Sequence, residues 1–369
     1  MQIIKIGKIY QKSFQPIEFI IIIMMNTCAN NPQTHPIIRV AVAVIRYHDE
    51  FLLAMRHQYQ HQGGKLEFVG GKIEQGESAE SALIREVNEE IGLQLQTDQL
   101  VRFGVIAHDY TDKSVELHIY QAHLNDIQYQ EFRHRTHGCE SQALHWLGLD
   151  ELLASGERLP AANLRILDWL GLCDTLIISH GLTHFGTLDD FVQYYIDKLP
   201  NHACFYLRPQ ADVMTTRQLY QAICTHRPDI RLMIKDEVYC AYRDEWDADV
   251  MVKLSAQTLA NMTHRITQGM DISADLPSDF PIMVGVHDAN EVMMANLLAR
   301  HARIIAAMVS PVLPTQSHPT APVLGWQRFR ELTGQLSMPA IALGGMNPSD
   351  AVTAKAYGAV AISGIRGML

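Results

Sequence analysis

Residues 71–93 read GKIEQGESAESALIREVNEEIGL, a stretch that decides what the first half of the chain is. Ser78 is a preferred helix N-cap and Gly92 a helix stop, so the pattern predicts a helix over 78–91. On such a helix Glu86, Glu89 and Glu90 stand at i, i+3 and i+4 and share one face. Leu83, Val87 and Ile91, with Ile84 beside them, form a neighbouring apolar stripe that can anchor the helix on a sheet and hold the acidic face rigid. Three adjacent carboxylates repel one another and call for a cation. Hard oxygen donors favour Mg²⁺, with Mn²⁺ as an alternative, and Mg²⁺ shares its shell with substrate phosphates. An arbitrary Glu-rich helix would be a solvated acidic face with Arg85 as counter-charge; the glycines and the spacing argue here for a metal-pyrophosphate site.

Gly71, Glu77, Arg85, Glu86, Val87, Glu89, Glu90, Gly92 and Leu93 match G-x5-E-x7-R-E-U-x-E-E-x-G-U, with U aliphatic. The stretch thereby resembles the Nudix box. The resemblance implies an α/β fold, an α/β/α sandwich whose box binds a divalent metal and a nucleoside diphosphate linked to another moiety. It further implies Glu86, Glu89 and Glu90 as metal ligands, the Gly70 carbonyl as an added ligand, and Arg85 as the group that orients the carboxylates. The flanks resemble the MutT-type 8-oxo-dGTP diphosphatases. Lys65-Leu66-Glu67-Phe68 precedes Gly70-Gly71-Lys72, with Val69 where that subfamily commonly has proline. Strands over 37–45 and 51–55 form a hairpin ending at Arg56, which corresponds to an arginine near the nucleotide. Gly138-Cys139-Glu140-Ser141-Gln142 before Trp146 matches a G-x-E-x-Q…W segment and makes Glu140 a further metal ligand or base.

Substrate is read from Leu159-Pro160-Ala161-Ala162-Asn163, which resembles the P-x-A-N segment whose asparagine reads oxidised guanine. An amide can pair with both an acceptor and a donor on a purine edge. The plain alternative is that Asn163 is a helix N-cap. Phe68 and Tyr110 are candidate walls for the purine, although strand aromatics commonly belong to the core. The reaction implied is hydrolysis of 8-oxo-dGTP to 8-oxo-dGMP and pyrophosphate, with Glu86, Glu90 and Glu140 as candidate bases. The partner is a small nucleotide. A net charge of −10 argues against direct nucleic-acid binding, which normally needs a basic surface.

A Nudix domain accounts for only about 140 residues, so a second domain is expected. Eight short apolar runs follow, at 176–178, 204–207, 232–234, 250–254, 282–286, 304–309, 340–343 and 360–362, each separated by a helix-compatible stretch. Buried parallel strands alternating with helices predict a C-terminal (β/α)8 TIM-barrel-like domain, with working residues at the C-terminal strand ends. Val284-Gly285-Val286-His287 with Glu291, then Ser310 to Thr315, Gly344-Gly345-Met346-Asn347 and Ser363-Gly364 resemble thiamine phosphate synthase and its relatives. That resemblance implies a phosphorylated ligand held by the backbone of Gly345, Ser363 and Gly364. The departures are substantial. The family's Asn-Asp pair is Lys235-Asp236, its second acidic ligand falls in Ser255-Ala256-Gln257-Thr258, and its Arg-x-Lys is Arg208-Pro209-Gln210. A degenerate, ligand-binding barrel is the favoured reading. Hydrolysis of a thiamine-precursor or damaged thiamine pyrophosphate, or a second activity as thiamine phosphate synthase, is the alternative.

The expected layout is a leader over 1–35, a Nudix domain over 36–173 and a thiamine phosphate synthase-like barrel over 174–369. Met24 or Met25 is the expected true start. The run FIIIIMM over 19–25 is far short of the ~20 residues that cross a bilayer, so no membrane partner is expected. Cysteines 28, 139, 173, 204, 224 and 240 show no paired spacing, which suggests a reduced cytoplasm.

Overall fold

The computed structural model describes residues 37–59, 62–109, 113–246, 250–273, 280–315 and 322–369. Tyr110, Cys28 and the expected leader lie outside them.

The first half is built on β1 (Ile37–Tyr47), β2 (Glu50–Met55), β3 (Leu66–Glu67), β4 (Val69–Lys72), β5 (Leu100–Asp109), β6 (Ser114–His123) and β7 (Leu144–Gly148), with spatial order β3-β2-β1-β6-β5. β4 adds to β1 and β7 to β2. β1 and β2 form the expected hairpin, Ile45 opposite Leu52. β1 also runs parallel to β6 along nearly its whole length, from Ile37↔Ser114 to Arg46↔His123. The period of two divides β1 between two cores. Ala41, Ala43 and Ile45 pack with Leu83, Val87 and Ile91 of helix α1 (Ala79–Ile91). Val42 and Val44 face the other way, toward Leu152, Ile166 and Trp169 of α3 (Leu149–Ala154) and α4 (Leu164–Leu170), which follow α2 (Asp126–Phe132). Helices on both faces of one sheet make the expected α/β/α sandwich.

The second half is a closed parallel barrel. Its strands are β8 (Thr175–Ile178), β9 (Cys204–Tyr206), β10 (Arg231–Lys235), β11 (Met251–Lys253), β12 (Ile282–Val286), β13 (Ile304–Val309), β14 (Ala340–Leu343) and β15 (Ala359–Gly364). Every one of the eight apolar runs overlaps one of them, and β15 closes on β8 through Ser363↔Leu176. Unbranched side chains are prominent inside: Met233, Met251, Met283 and Met308 pack with Leu176, Ile178 and Ile341. Methionine adapts to irregular gaps that branched side chains would fill less well.

The sandwich docks on the N-terminal end of the barrel, opposite the strand ends where such folds place their chemistry. Arg303, immediately before β13, grips Asp168 of α4 with two hydrogen bonds, Nε to Oδ2 at 3.0 Å and Nη2 to Oδ1 at 2.5 Å. Arg165 on the same helix donates to the carbonyls of Ala302 and Ile304 at 3.2 and 3.3 Å. The Val105 N–H of β5 donates to the Ser337 carbonyl just before β14 at 3.0 Å.

Cysteine pairing differs from the sequence expectation. Cys173 and Cys204 form a disulfide across 31 residues. Parallel pairing of β8 with β9 brings the residues just before β8 beside the start of β9, with the two Cα atoms 6.0 Å apart, a proximity that spacing along the chain does not encode. The spacing argument for a reducing compartment therefore fails. Among the described residues no helix is long and apolar enough to cross a membrane.

Breaking the clamp tests the docking. Arg303 is 38% exposed and Asp168 15%, so Asp168→Ala should cost about 1 kcal/mol and Arg303→Ala somewhat more, because the latter strips both hydrogen bonds from the more buried carboxylate. Urea unfolding of both single variants and the double variant should show non-additivity; strictly additive losses would mean that the pair contributes nothing to docking.

Candidate functional site

Helix α1 starts and ends as its sequence demands. Ser78 Oγ accepts the Ser81 N–H at 3.1 Å, and Gly92, at φ 72°, closes the helix with its N–H on Asn88 O. Arg85 is the hub of the box. Its Nε and Nη2 reach the two carboxylate oxygens of Glu77 at 3.2 and 3.1 Å, and Nη2 also reaches the Lys72 carbonyl at 3.0 Å. Nη1 holds Glu86 at 2.8 Å and Glu89 at 3.1 Å. The Glu77 contacts, then those with Glu86, raise the guanidinium's proton affinity further, and Arg85 in turn lowers the Glu77 carboxyl. One planar cation thus ties the loop after β4 to the acidic face of the helix.

The Glu86 carboxylate lies against Gly71, where any Cβ would fall 2.1 Å from Oε2. A side chain at Gly71 would therefore expel Glu86. The Glu90 carboxyl is pushed up to about 8, first by burial and then by Glu67, Glu140 and Glu86, while the Gly70 N–H partly offsets the rise. Glu140 comes from the loop before β7. Gln142 anchors that loop by donating to Glu90 O at 2.9 Å and accepting the Glu140 N–H at 3.1 Å; the Cys139 N–H also reaches Glu90 O, at 2.7 Å. The loop glutamate is thus carried by the end of α1 itself.

The structure accordingly brings Glu86, Glu90 and Glu140 together beside Gly70, and adds Glu67. Glu67 was not singled out from sequence. The signal was its place between the buried residues Leu66 and Phe68, which turns it to the opposite face of a short strand. Burial raises the Glu67 carboxyl and Arg56, its salt-bridge partner, pulls it down. Glu89 stands apart: it is 55% exposed and faces Arg85. Among the described residues no three carboxylate, histidine or cysteine side chains already form a metal cage. The donor chemistry nonetheless fits a divalent cation, because hard oxygens crowd a half-buried carboxyl whose charge lacks a neutralising partner. Glu86, Glu90, Glu140 and Glu67 are the residues able to supply that shell.

The proposed nucleotide contacts divide. Phe68 is only 4% exposed and packs into the sheet core, so the expected open wall is a core side chain. Asn163 is buried in the turn Ala161–Asn163, and its side chain makes no capping bond to α4. The plain N-cap alternative therefore fails. Lys65 Nζ donates to Leu159 O at 3.0 Å, fastening this segment to β3.

At the barrel, Ser363 is fully buried and its hydroxyl donates to Leu176 O at 2.8 Å; Gly364 pairs with Ile177 in the closing ladder. The Ser363 hydroxyl therefore serves closure. Gly345 sits at φ 70° against the Pro314 carbonyl. Asp236 accepts the N–H groups of Ser255 and Glu237, one on each oxygen, at 2.9 and 3.0 Å. Its carboxylate is a structural brace between two strand ends.

Comparison with known proteins agrees with both halves. The NUDIX domain family matches residues 37–170, and the thiamine monophosphate synthase family matches residues 206–368. The chain is 32% identical over 127 residues to the 8-oxo-dGTP diphosphatase of Escherichia coli K12, covering 34% of this chain and 90% of that protein. It is 40% identical over 70 residues to the Proteus vulgaris 8-oxo-dGTP diphosphatase, covering 19% of this chain and only 61% of the relative. The CTP pyrophosphohydrolase of E. coli K12 is similar at 33% over 116 residues, 31% of this chain and 79% of that one. A solved MutT structure from a study of Aliivibrio salmonicida and Vibrio cholerae covers 37% of this chain and 97% of its own, at 26% identity and a TM-score of 0.30. The chain belongs to the Nudix hydrolase family, its Nudix domain followed by a thiamine monophosphate synthase-type barrel.

Proposed function

We propose that the Nudix domain, residues 36–173, is a Mg²⁺-dependent pyrophosphohydrolase that converts 8-oxo-dGTP to 8-oxo-dGMP and pyrophosphate, clearing a damaged nucleotide from the precursor pool. The observation that carries the reaction type is the crowding of Glu86, Glu140 and Glu67 around the raised Glu90 carboxyl. When bound, the cation supplies a Lewis acid and neutralises charge on the triphosphate. Glu86, Glu90 and Glu140, with the Gly70 carbonyl, would hold it, and Glu89 would join them by leaving Arg85. Arg85 keeps Glu86 in register with Gly71, Arg56 offers positive charge at the rim, and the proton of the attacking water passes to a carboxylate of the cluster. Asn163, whose amide does not cap α4, reads the oxidised purine edge. The barrel, residues 174–369, is proposed not to work as a thiamine phosphate synthase. Asp236 is engaged by backbone N–H groups, and Gln210 occupies the place of the pyrophosphate-handling lysine.

Substrate choice is tested by kcat/KM with Mg²⁺ on 8-oxo-dGTP, dGTP, CTP and hydroxymethylpyrimidine diphosphate, with pyrophosphate and phosphate release followed separately. The expected result is strong preference for 8-oxo-dGTP with pyrophosphate release. CTP preference would move the chain toward its pyrimidine-nucleotide relative; preference for the pyrimidine diphosphate would tie both domains to thiamine chemistry. Asn163→Ala should cost about 1–3 kcal/mol of discrimination against dGTP, and an equal loss on both nucleotides would end its role as reader. Glu90→Gln should lower kcat by about 10²–10⁴.

Stability supplies an independent readout. The Glu90 carboxyl has a folded value of about 8 against an ordinary 4.5, so the folded state binds the proton more tightly than the unfolded state. Its contribution is present below the lower value and is lost as pH rises through the upper one. In chelator, Tm should fall across that window; Glu90→Gln should flatten the fall, and Mg²⁺ should offset it in the wild type. A wild-type Tm that stays level over the same range, with and without Mg²⁺, would remove Glu90 from any charge cluster.

A further inference from the structure

Lys253 is the last residue of β11. Met251, two residues earlier, points into the barrel and packs there with Met233, Met283 and Met308. By the period of two, Lys253 follows the same direction at the C-terminal mouth, above an apolar floor. Its Nζ lies 3.1 Å from the point where a Cβ of Gly285 would stand, and His287 Cε1 lies 3.7 Å from that same point. The missing side chain at Gly285 is therefore what lets the amine and the imidazole approach each other. His287 is held from behind, since Glu291 Oε2 takes both its backbone N–H and its Nδ1, at 2.6 and 2.7 Å. That arrangement leaves Nε2 as the ring nitrogen for a ligand.

The hydrogen bond of Lys253 Nζ runs to the neutral carbonyl of Leu254 at 2.7 Å. Burial dominates its electrostatics and lowers the ammonium to about 8. Asp236 and Glu291 oppose that fall, while Arg208 and Lys235 assist it. Lys235 itself is paired with Glu237 at 3.0 Å, so Arg208 is the nearby cation available to an anion. Lysines desolvated in this way are the ones that attack carbonyl groups.

We propose that the barrel mouth is an imine-forming site, with Lys253 Nζ as nucleophile and a small aldehyde or ketone bearing an acidic group as ligand. The amine lone pair forms the C–N bond while the carbonyl π pair moves to oxygen, which takes up a proton. That proton is one of the two on nitrogen; the hydroxyl then leaves as water with a proton from His287, and the last nitrogen proton returns to His287, giving the imine and one water. No electron is gained or lost overall. Glu291 raises the proton affinity of the His287 imidazole through their hydrogen bond, which suits it to donate at neutral pH. The acidic group of the ligand meets Arg208.

The test uses the full chain incubated with glyoxylate and cyanoborohydride, followed by peptide mapping of the reduced adduct. A lysine with its value near 8 presents about a hundredfold more free amine near neutral pH than an ordinary surface lysine, so the adduct should concentrate on Lys253. Lys253→Arg, which keeps the charge, should abolish that adduct with an unchanged Tm, and His287→Ala should slow its formation. Should the arginine variant fold poorly, the wild-type labelling rate decides the matter: a rise centred near pH 8 at Lys253 supports the proposal. Label spread evenly over surface lysines, or a site-specific rate that rises only near the ordinary lysine value, overturns it.

Discussion

The mutual repulsion of carboxylates at the C-terminal half of α1 is the constraint to which the sandwich answers. Left alone, Glu86, Glu89 and Glu90 would splay into solvent. Arg85 prevents this by joining Glu77, Glu86, Glu89 and the Lys72 carbonyl in one plane of hydrogen bonds. Glu90 is denied that partner, and burial first, then the charges of Glu67 and Glu140, raise its proton affinity. The difference between neighbouring glutamates is a difference of environment: Arg85 serves one side of the helix, while the other presents the oxygen donors that suit a divalent cation.

The apolar stripe beside those charges explains why the helix tolerates them. Leu83, Val87 and Ile91 are fully buried against Ala41, Ala43 and Ile45 of β1. Small alanines on β1 let the helix approach the sheet closely, and β4, paired to the same strand, brings Gly70 and Gly71 beneath the acidic face. A loop from before β7 then delivers Glu140 by hydrogen bonding twice to the Glu90 carbonyl near the helix end. Sheet register and helix packing thus converge on one point through β1.

Much of this was legible in the chain. The N-cap, the stop, the anchoring stripe and the acidic face of α1 follow from local spacing, and the barrel strands follow from buried apolar runs of suitable length. What escaped was set by contacts between distant segments. Glu67 looked like an ordinary strand residue until the fold set it beside Glu90. Phe68 read as a wall and packs as core because the sheet has helices on both faces. The Cys173–Cys204 bond exists because β8 and β9 pair as parallel neighbours, and Ser363 serves barrel closure with its hydroxyl. Sequence patterns report periodicity and caps well; they carry little information on which polar group meets which across the fold.

The docking of the two halves separates their chemistry. Contacts with the sandwich fall at Arg303, Ser337 and Arg231, each at or just before the start of a barrel strand. Lys253, His287 and Glu291 lie at the opposite strand ends. A product of one site therefore has no short enclosed path to the other, and nothing in the barrel need be complementary to a nucleotide. That freedom suits a barrel in which Asp236 has become a brace and a lysine stands over the methionine floor. The shared element is α4: its Arg165 and Asp168 hold the barrel, while Asn163, the proposed purine reader, is the residue just before it. Contact between the barrel and the segment that carries Asn163 runs through that short helix, while Val105 of β5 gives a second contact into the sheet.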